Sequence, residues 1–164
     1  GGAERSLGRG APGCPVLLSL HGTSLKVRDS ADAYKRKPKE EDGFQFGVDG
    51  YWVVAPTRHG AHNWELGGRL SAAAAVAAVA SLPREQLPSS VGVDAARVLY
   101  VGHSMGAHGA WVGAVQGSAH ALGVAAVAGW TTKEGAHQTT AVRSTMPRCA
   151  TSLHARGAAS ERRG

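Results

Sequence analysis

The segment VLYVGHSMGAHGAW, residues 98–111, restricts the possible folds of this chain more than any other. Val98 to Val101 form a continuous apolar run, partly β-branched, which Gly102 breaks. Ser104 follows within GHSMG, and an Ala/Gly-rich stretch continues behind it. A short apolar run bounded by a turn residue predicts a buried strand. The small residues after it predict a helix over 105–117, with Ser104 at the bend between the two.

Other segments repeat the alternation. VLLSL, residues 16–20, is an apolar run ending at HGTS. YWVVAP, residues 51–56, is stopped by Pro56, and GVAAVAGW, residues 123–130, is a fourth apolar run. Residues 66–82 are dominated by Ala and Leu and end at Pro83, which predicts a helix. Asp94, in the connector before Val98, is placed to cap a short turn. Strands apolar on both faces and alternating with helices predict an α/β three-layer sandwich around a mostly parallel sheet. Strand 98–102 should be central, with 16–20 or 51–56 on one side and 124–128 on the other.

A chain of 164 residues is expected to be one domain. The reading divides it into a flexible leader over 1–13, the α/β domain over 14–137, and a disordered basic tail over 138–164. Residues 24–50 are polar, and KRKPK at 35–39 is followed by EED, which favours a solvated loop over a localisation signal. The net charge is +6, but residues 133–164 hold six Lys/Arg against two acids, and the rest is close to balance. That distribution, without aromatic residues among the basic ones, argues against nucleic acid as a partner. The Ala-rich run 70–82 is too short to span a bilayer. Residues 1–13 lack the apolar core of a signal peptide, so no membrane partner is expected. Cys14 and Cys149 have neither CxxC nor zinc spacing. They read as structural or free thiols, with a lean to the cytosol. His59 and His62 in HGAH have no third ligand at a known spacing, so no metal and no cofactor is expected. Nothing in the sequence sets the oligomeric state.

The chemistry centres on Ser104. GxSxG arises easily by chance in a chain this rich in Gly and Ser, but here it follows a strand and opens a helix, as a nucleophile elbow requires. The competing reading is a serine that only caps the helix. Gly102 and Gly106 suit a bend in which backbone meets backbone. Gly109, Gly113 and Gly117 make one bare helical stripe that lets the helix approach its support closely. An acyl-transfer site needs two backbone N–H groups for the oxyanion. Met105 N–H and Thr23 N–H, or Gly22 N–H in place of Thr23, are the candidates. His21 is expected to shape the loop that carries them.

LHGTS, YWVVAP, VDAARVLYVGHSMGAHGAW and VAAVAGW together resemble the α/β-hydrolase superfamily, and within it the prolyl-oligopeptidase-type catalytic domain and related esterases. The resemblance spans about residues 14–135. It implies a partial α/β-hydrolase fold and a serine hydrolase acting on a small-molecule ester or a peptide. Ser104 would be the nucleophile, with Thr23, Gly22 and Met105 at the oxyanion hole. His21, Arg58, His59, Trp64 and His103 would border the substrate cleft. The family's acid and histidine come later in the chain, each after a further strand. Here no aspartate follows Asp94, and the later carboxylates are Glu134 and Glu161. His108, His120, His137 and His154 are the later histidines. Glu134 and His137 meet the chain order of a triad, though only three residues apart. The sequence therefore reads as the front part of a hydrolase domain. Its alternative reading is a catalytically inactive relative acting as a binding module.

Overall fold

The computed structural model describes residues 13–23, 25–36, 45–58, 63–87, 91–131 and 140–141. Strands β1 (Cys14–Leu20), β4 (Trp52–Val54), β5 (Val93–His103) and β6 (Ala121–Val127) form a parallel sheet in the order β4-β1-β5-β6. β5 is central, as the apolar run at 98–102 predicts. β7 (Thr140–Ala141) pairs antiparallel with Ala125 and Ala126 at the edge. These two residues fall within 138–164, the stretch expected to be a disordered tail, and they join the sheet. The rest of that tail and the leader up to residue 12 lie outside the described residues.

β5 starts five residues earlier than the apolar pattern predicts. Pro15 faces Asp94 but Val16 faces Val98, so Ala95–Arg97 bulge from the ladder. Asp94 holds the bulge: its carboxylate accepts the Ala96 N–H at 3.0 Å and Arg97 Nε–H at 2.7 Å. Arg97 then donates from Nη2 to the Gly13 carbonyl at 2.9 Å. The expected turn at Asp94 is real, and it lies inside the strand.

Helices α2 (Gly67–Ala80) and α3 (Met105–Gln116) cover one face of the sheet. Alternate residues of β1 point that way. Val16, Leu18 and Leu20 join Val54, Trp64, Ala72, Val76, Val98 and Met105 in the main core. Beneath α3, Ala107 and Ala110 meet Val124 and Ala126. On the opposite face Ser19 meets α1 (Val27–Asp32), where its Oγ lies 3.4 Å from Ser30 Oγ and accepts the Tyr34 hydroxyl at 3.0 Å. The three layers are therefore α1, the sheet, and α2 with α3.

The polar stretch 24–50 holds more structure than its composition predicts. Besides α1 it contains β2 (Lys35–Arg36) and β3 (Gln45–Phe46), an antiparallel pair with the Lys35 ammonium 5.4 Å from the Phe46 ring centre. Cys14 is buried and disulfide-bonded rather than free. Among the described residues no helix is long and apolar enough to cross a membrane.

Candidate functional site

Ser104 sits between the end of β5 and the start of α3 with φ 57° and ψ −124°. Those angles belong to the first central position of a type II′ turn, a place normally taken by glycine. The backbone there is held from three sides. Ser104 N–H donates to the Val127 carbonyl at 2.9 Å, and its own carbonyl accepts from Ala107 N–H at 2.9 Å and His108 N–H at 3.3 Å. A Cβ on Gly102 would overlap the Gly106 carbonyl, and one on Gly106 would overlap the Leu20 carbonyl. A Cβ on Gly129 would overlap Ala107. The bend closes because these positions carry no side chain.

The serine side chain is left free by this arrangement. It makes no helix-capping hydrogen bond, and its hydroxyl has no partner among the described residues. That removes the reading of Ser104 as a helix cap. The hydroxyl faces the His21–Thr23 loop: a Cβ built on Gly22 would lie 3.4 Å from Ser104 Cβ and 3.9 Å from its Oγ. The nearest atom to the same position is the His103 carbonyl oxygen, at 3.3 Å.

Met105, the first residue of α3, ties the surrounding loops together. Its buried Sδ accepts the Thr23 hydroxyl at 3.8 Å and Arg58 Nη1–H at 3.0 Å. Thr23 and Arg58 thus both reach the first residue of α3. The Met105 N–H belongs to the first turn of α3, where amides lack an intrahelical partner. The positive end of the α3 dipole points to the same place.

Two of the expected cleft residues are instead part of the scaffold. Trp64 is 1% exposed and lies in the main core rather than open beside Ser104. The bare stripe of α3 explains why: a Cβ on Gly109 would overlap Trp64, so the glycine makes room for the indole. Trp64 Nε1–H donates to the His21 carbonyl at 3.0 Å, and the His21 ring meets the indole edge-on at 5.3 Å. His21 is itself buried, and its Nδ1–H donates to the Gly22 carbonyl at 2.8 Å. It shapes the loop, as the residue reading expects, and it is not open to substrate. Arg58 is half-buried beside Met105, and His103 is exposed next to Ser104. His59, Glu134 and His137 lie outside the described residues.

Sequence reasoning missed a buried network one turn into α3. His108 is 3% exposed. Its Nε2 is 2.8 Å from Glu65 Oε1, its Nδ1–H donates to the Trp130 carbonyl at 2.9 Å, and its ring stacks on Trp130 at 4.9 Å. Both ring nitrogens are engaged, so His108 cannot serve Ser104 as a base. It links three segments: the loop before α2, α3, and the loop after β6. The only signal in the sequence was a histidine four residues after Ser104, which points inward on a helix. Its partners are 43 and 22 residues away and carry no spacing.

Backbone strain gathers at this edge. The non-glycine residues with left-handed φ among those described are Trp64, Leu66, Ser104 and Ala128. All four lie in connections that leave the carboxyl ends of parallel strands, where ligands bind in open α/β sheets. Such conformations cost about 1–3 kcal/mol each and cluster at functional sites. No family model, no curated protein and no solved structure matches the chain.

Proposed function

We propose that the chain carries the nucleophile half of a serine-hydrolase-type site of the α/β-hydrolase kind, for acyl transfer from an ester or peptide to water. The observation that carries this reading is the Ser104 hydroxyl, unpartnered among the described residues and held at a glycine-type backbone conformation opposite the Gly22 loop. In this reading Ser104 Oγ attacks the substrate carbonyl and an acyl-enzyme forms. The oxyanion is received by Met105 N–H and by Thr23 or Gly22 N–H, where preorganised donors stabilise the developing charge. Arg58 and His103 flank the entering substrate.

The attack also needs a base. Both ring nitrogens of His108 are engaged, the buried His21 has Nδ1–H on the Gly22 carbonyl and its ring against Trp64, and His120 precedes β6 at the opposite edge of the sheet. The candidate base is His137 with Glu134, which meet the chain order of a triad, and His154 comes second; all three lie outside the described residues. A second reading follows from the same observation: without a histidine at Ser104, the elbow serves a binding module derived from a hydrolase.

Fluorophosphonate labelling of the full chain, mapped by mass spectrometry, tests the proposal. The expected result is a label on Ser104 that is absent from Ser104→Ala and lost or slowed in His137→Ala. Labelling that persists in His137→Ala moves the base elsewhere. A wild-type chain that stays unlabelled even with imidazole added as a soluble base overturns the nucleophile assignment and leaves the binding module.

A further inference from the structure

His108 and Glu65 meet across 43 residues of chain, and the geometry of their contact fixes how many protons the pair holds. A neutral imidazole has one N–H and one lone pair. The Trp130 carbonyl can only accept, so at 2.9 Å it takes the N–H from Nδ1. Nε2 would then turn its lone pair toward Glu65 Oε1, 2.8 Å away, and two acceptors at that distance repel. A proton between them removes the conflict and leaves a charge-assisted hydrogen bond between imidazolium and carboxylate. The His108 side chain is 4% exposed, against 41% for Glu65, so the ring has little water to turn to if the contact opens.

Among the described residues no other side chain hydrogen-bonds to the pair. α3 and β6 carry no other charged side chain. α2 brings the exposed Arg69, and β5 brings Tyr100, against Gly113, and the exposed His103. Asp94 and Arg97, also on β5, pair with each other, and His21 after β1 is on the Gly22 carbonyl.

The contact stands between the two halves of the Ser104 site. On one side His108 belongs to the elbow. Its backbone N–H donates to the Ser104 carbonyl, and its ring holds Trp130, three residues after the Val127 carbonyl that accepts the Ser104 N–H. On the other side Glu65 follows Trp64, whose indole N–H holds the His21 carbonyl at the start of the Gly22 loop. Trp64 and Leu66, on either side of Glu65, have left-handed φ, a conformation that persists only where the surroundings impose it.

We propose that His108 and Glu65 are positioning residues for Ser104, forming a proton-dependent clasp that holds the Gly22 loop opposite the elbow through Trp64. With the shared proton present the loop is seated. Its loss at higher pH turns the contact repulsive and loosens residues 64–66, and with them the hold on the His21 carbonyl. The positioning role rests on the serine-hydrolase reading, whereas the clasp itself does not.

Two readouts on the full chain separate these. Hydrogen exchange at the Trp64 indole N–H, assigned by its magnetic contact with the His21 ring, reports the clasp from about pH 5 to about pH 9, around the ordinary titration of histidine. Glu65→Gln is the reference, because its side-chain N–H can donate to Nε2 of a neutral ring and needs no shared proton. The ratio of wild-type exchange to Glu65→Gln exchange at each pH cancels the chemical pH dependence. It is expected to rise about tenfold or more from the acid to the alkaline end, as a hydrogen bond to a charged group is lost. Glu65→Ala should exchange faster than Glu65→Gln throughout. The rate of fluorophosphonate labelling at Ser104, as the same ratio, should fall over the same range. The clasp is overturned if the exchange ratio is flat with pH, or if Glu65→Ala exchanges like Glu65→Gln. An exchange ratio that moves while the labelling ratio stays flat overturns the positioning role. A chain never labelled at Ser104 refutes the serine-hydrolase reading and the positioning role with it, and the exchange ratio still decides the clasp.

Discussion

Gly106→Ala tests the close approach on which the elbow depends. Gly106 is the second residue of α3, and an added Cβ would overlap the Leu20 carbonyl oxygen, 2.5 Å from its carbon and 3.0 Å from the His21 carbonyl carbon. Carbon atoms settle at about 3.5–4.0 Å, so α3 would have to withdraw from β1 by roughly 1 Å. Both surfaces are backbone, and no rotamer change relieves the overlap. Withdrawal also strains the His108–Glu65 contact two residues on. Overpacking of this kind costs about 1–3 kcal/mol, and a rigid backbone clash belongs at the upper end. Alanine regains about 1 kcal/mol in helix propensity over glycine, leaving a net loss of about 2 kcal/mol. Urea unfolding followed by tryptophan fluorescence reads this as a midpoint lower by about 1 M, for a typical slope of 1–3 kcal/mol/M. Gly67→Ala is the internal control. A Cβ at Gly67, the first residue of α2, meets nothing within 4 Å, so alanine there should leave the midpoint unchanged or raise it slightly. If Gly106→Ala unfolds at or above the wild-type midpoint, α3 is not seated on Leu20 and the geometry argued for Ser104 fails.

Ser104→Gly should stabilise the fold by about 1 kcal/mol, as relief of a strained φ outweighs glycine's unfolded-state entropy; Ser104→Ala should not, and thermal unfolding distinguishes the two. His108→Ala should lower stability by about 1–3 kcal/mol in chemical denaturation, because the Trp130 carbonyl and Glu65 lose their partner, while Glu65→Gln should cost less. Burial pushes the Tyr100 hydroxyl above its ordinary value of 10.0, and burial does the same for Tyr51 against an opposing effect of Arg97. The unfolded chain therefore gives up these protons first: their contribution is complete below pH 10 and is lost as pH rises through the raised values. The alkaline fall in melting temperature should begin above pH 10 and be smaller in Tyr100→Phe.

Much of this fold is legible in the sequence because its signals are local. VLLSL, WVV and VLYVG are strands signalled by short apolar runs bounded by turn residues, the first of them buried throughout. The helix ends at 67–80 and 105–116 fall close to where Pro83 and the Ala/Gly composition put them. The elements missed are those whose stability is not local. α1 has six residues and no side-chain cap, and it holds through Ser30 and Tyr34 on Ser19 rather than through helix propensity. β2 and β3 are two residues each and exist only as a pair. β7 is two residues long, too short to signal itself, and pairs with the edge of β6. Trp64 was misplaced for a related reason. Loop position suggested a cleft, but the space Gly109 leaves on α3 decides where the indole goes.

The candidate site divides along the same line. Ser104, the glycines around it and the Gly22 loop are legible because steric necessity is written into residue type: backbone contacts at Gly102 and Gly106 admit no side chain. The His108–Glu65–Trp130 network is not legible, since a pair joined across 43 residues leaves no spacing to read. Yet the network bears on the base question more than any motif does. A histidine one turn behind Ser104 looks available in the sequence, and its inward packing takes it away. What remains at the bend is a serine where glycine would fit without strain. Its hydroxyl neither caps α3 nor bonds to another described residue. A purely structural turn would gain stability from glycine at that position. Under the proposed function the serine is kept for its hydroxyl, and the measured difference between Ser104→Gly and Ser104→Ala sets the size of that cost.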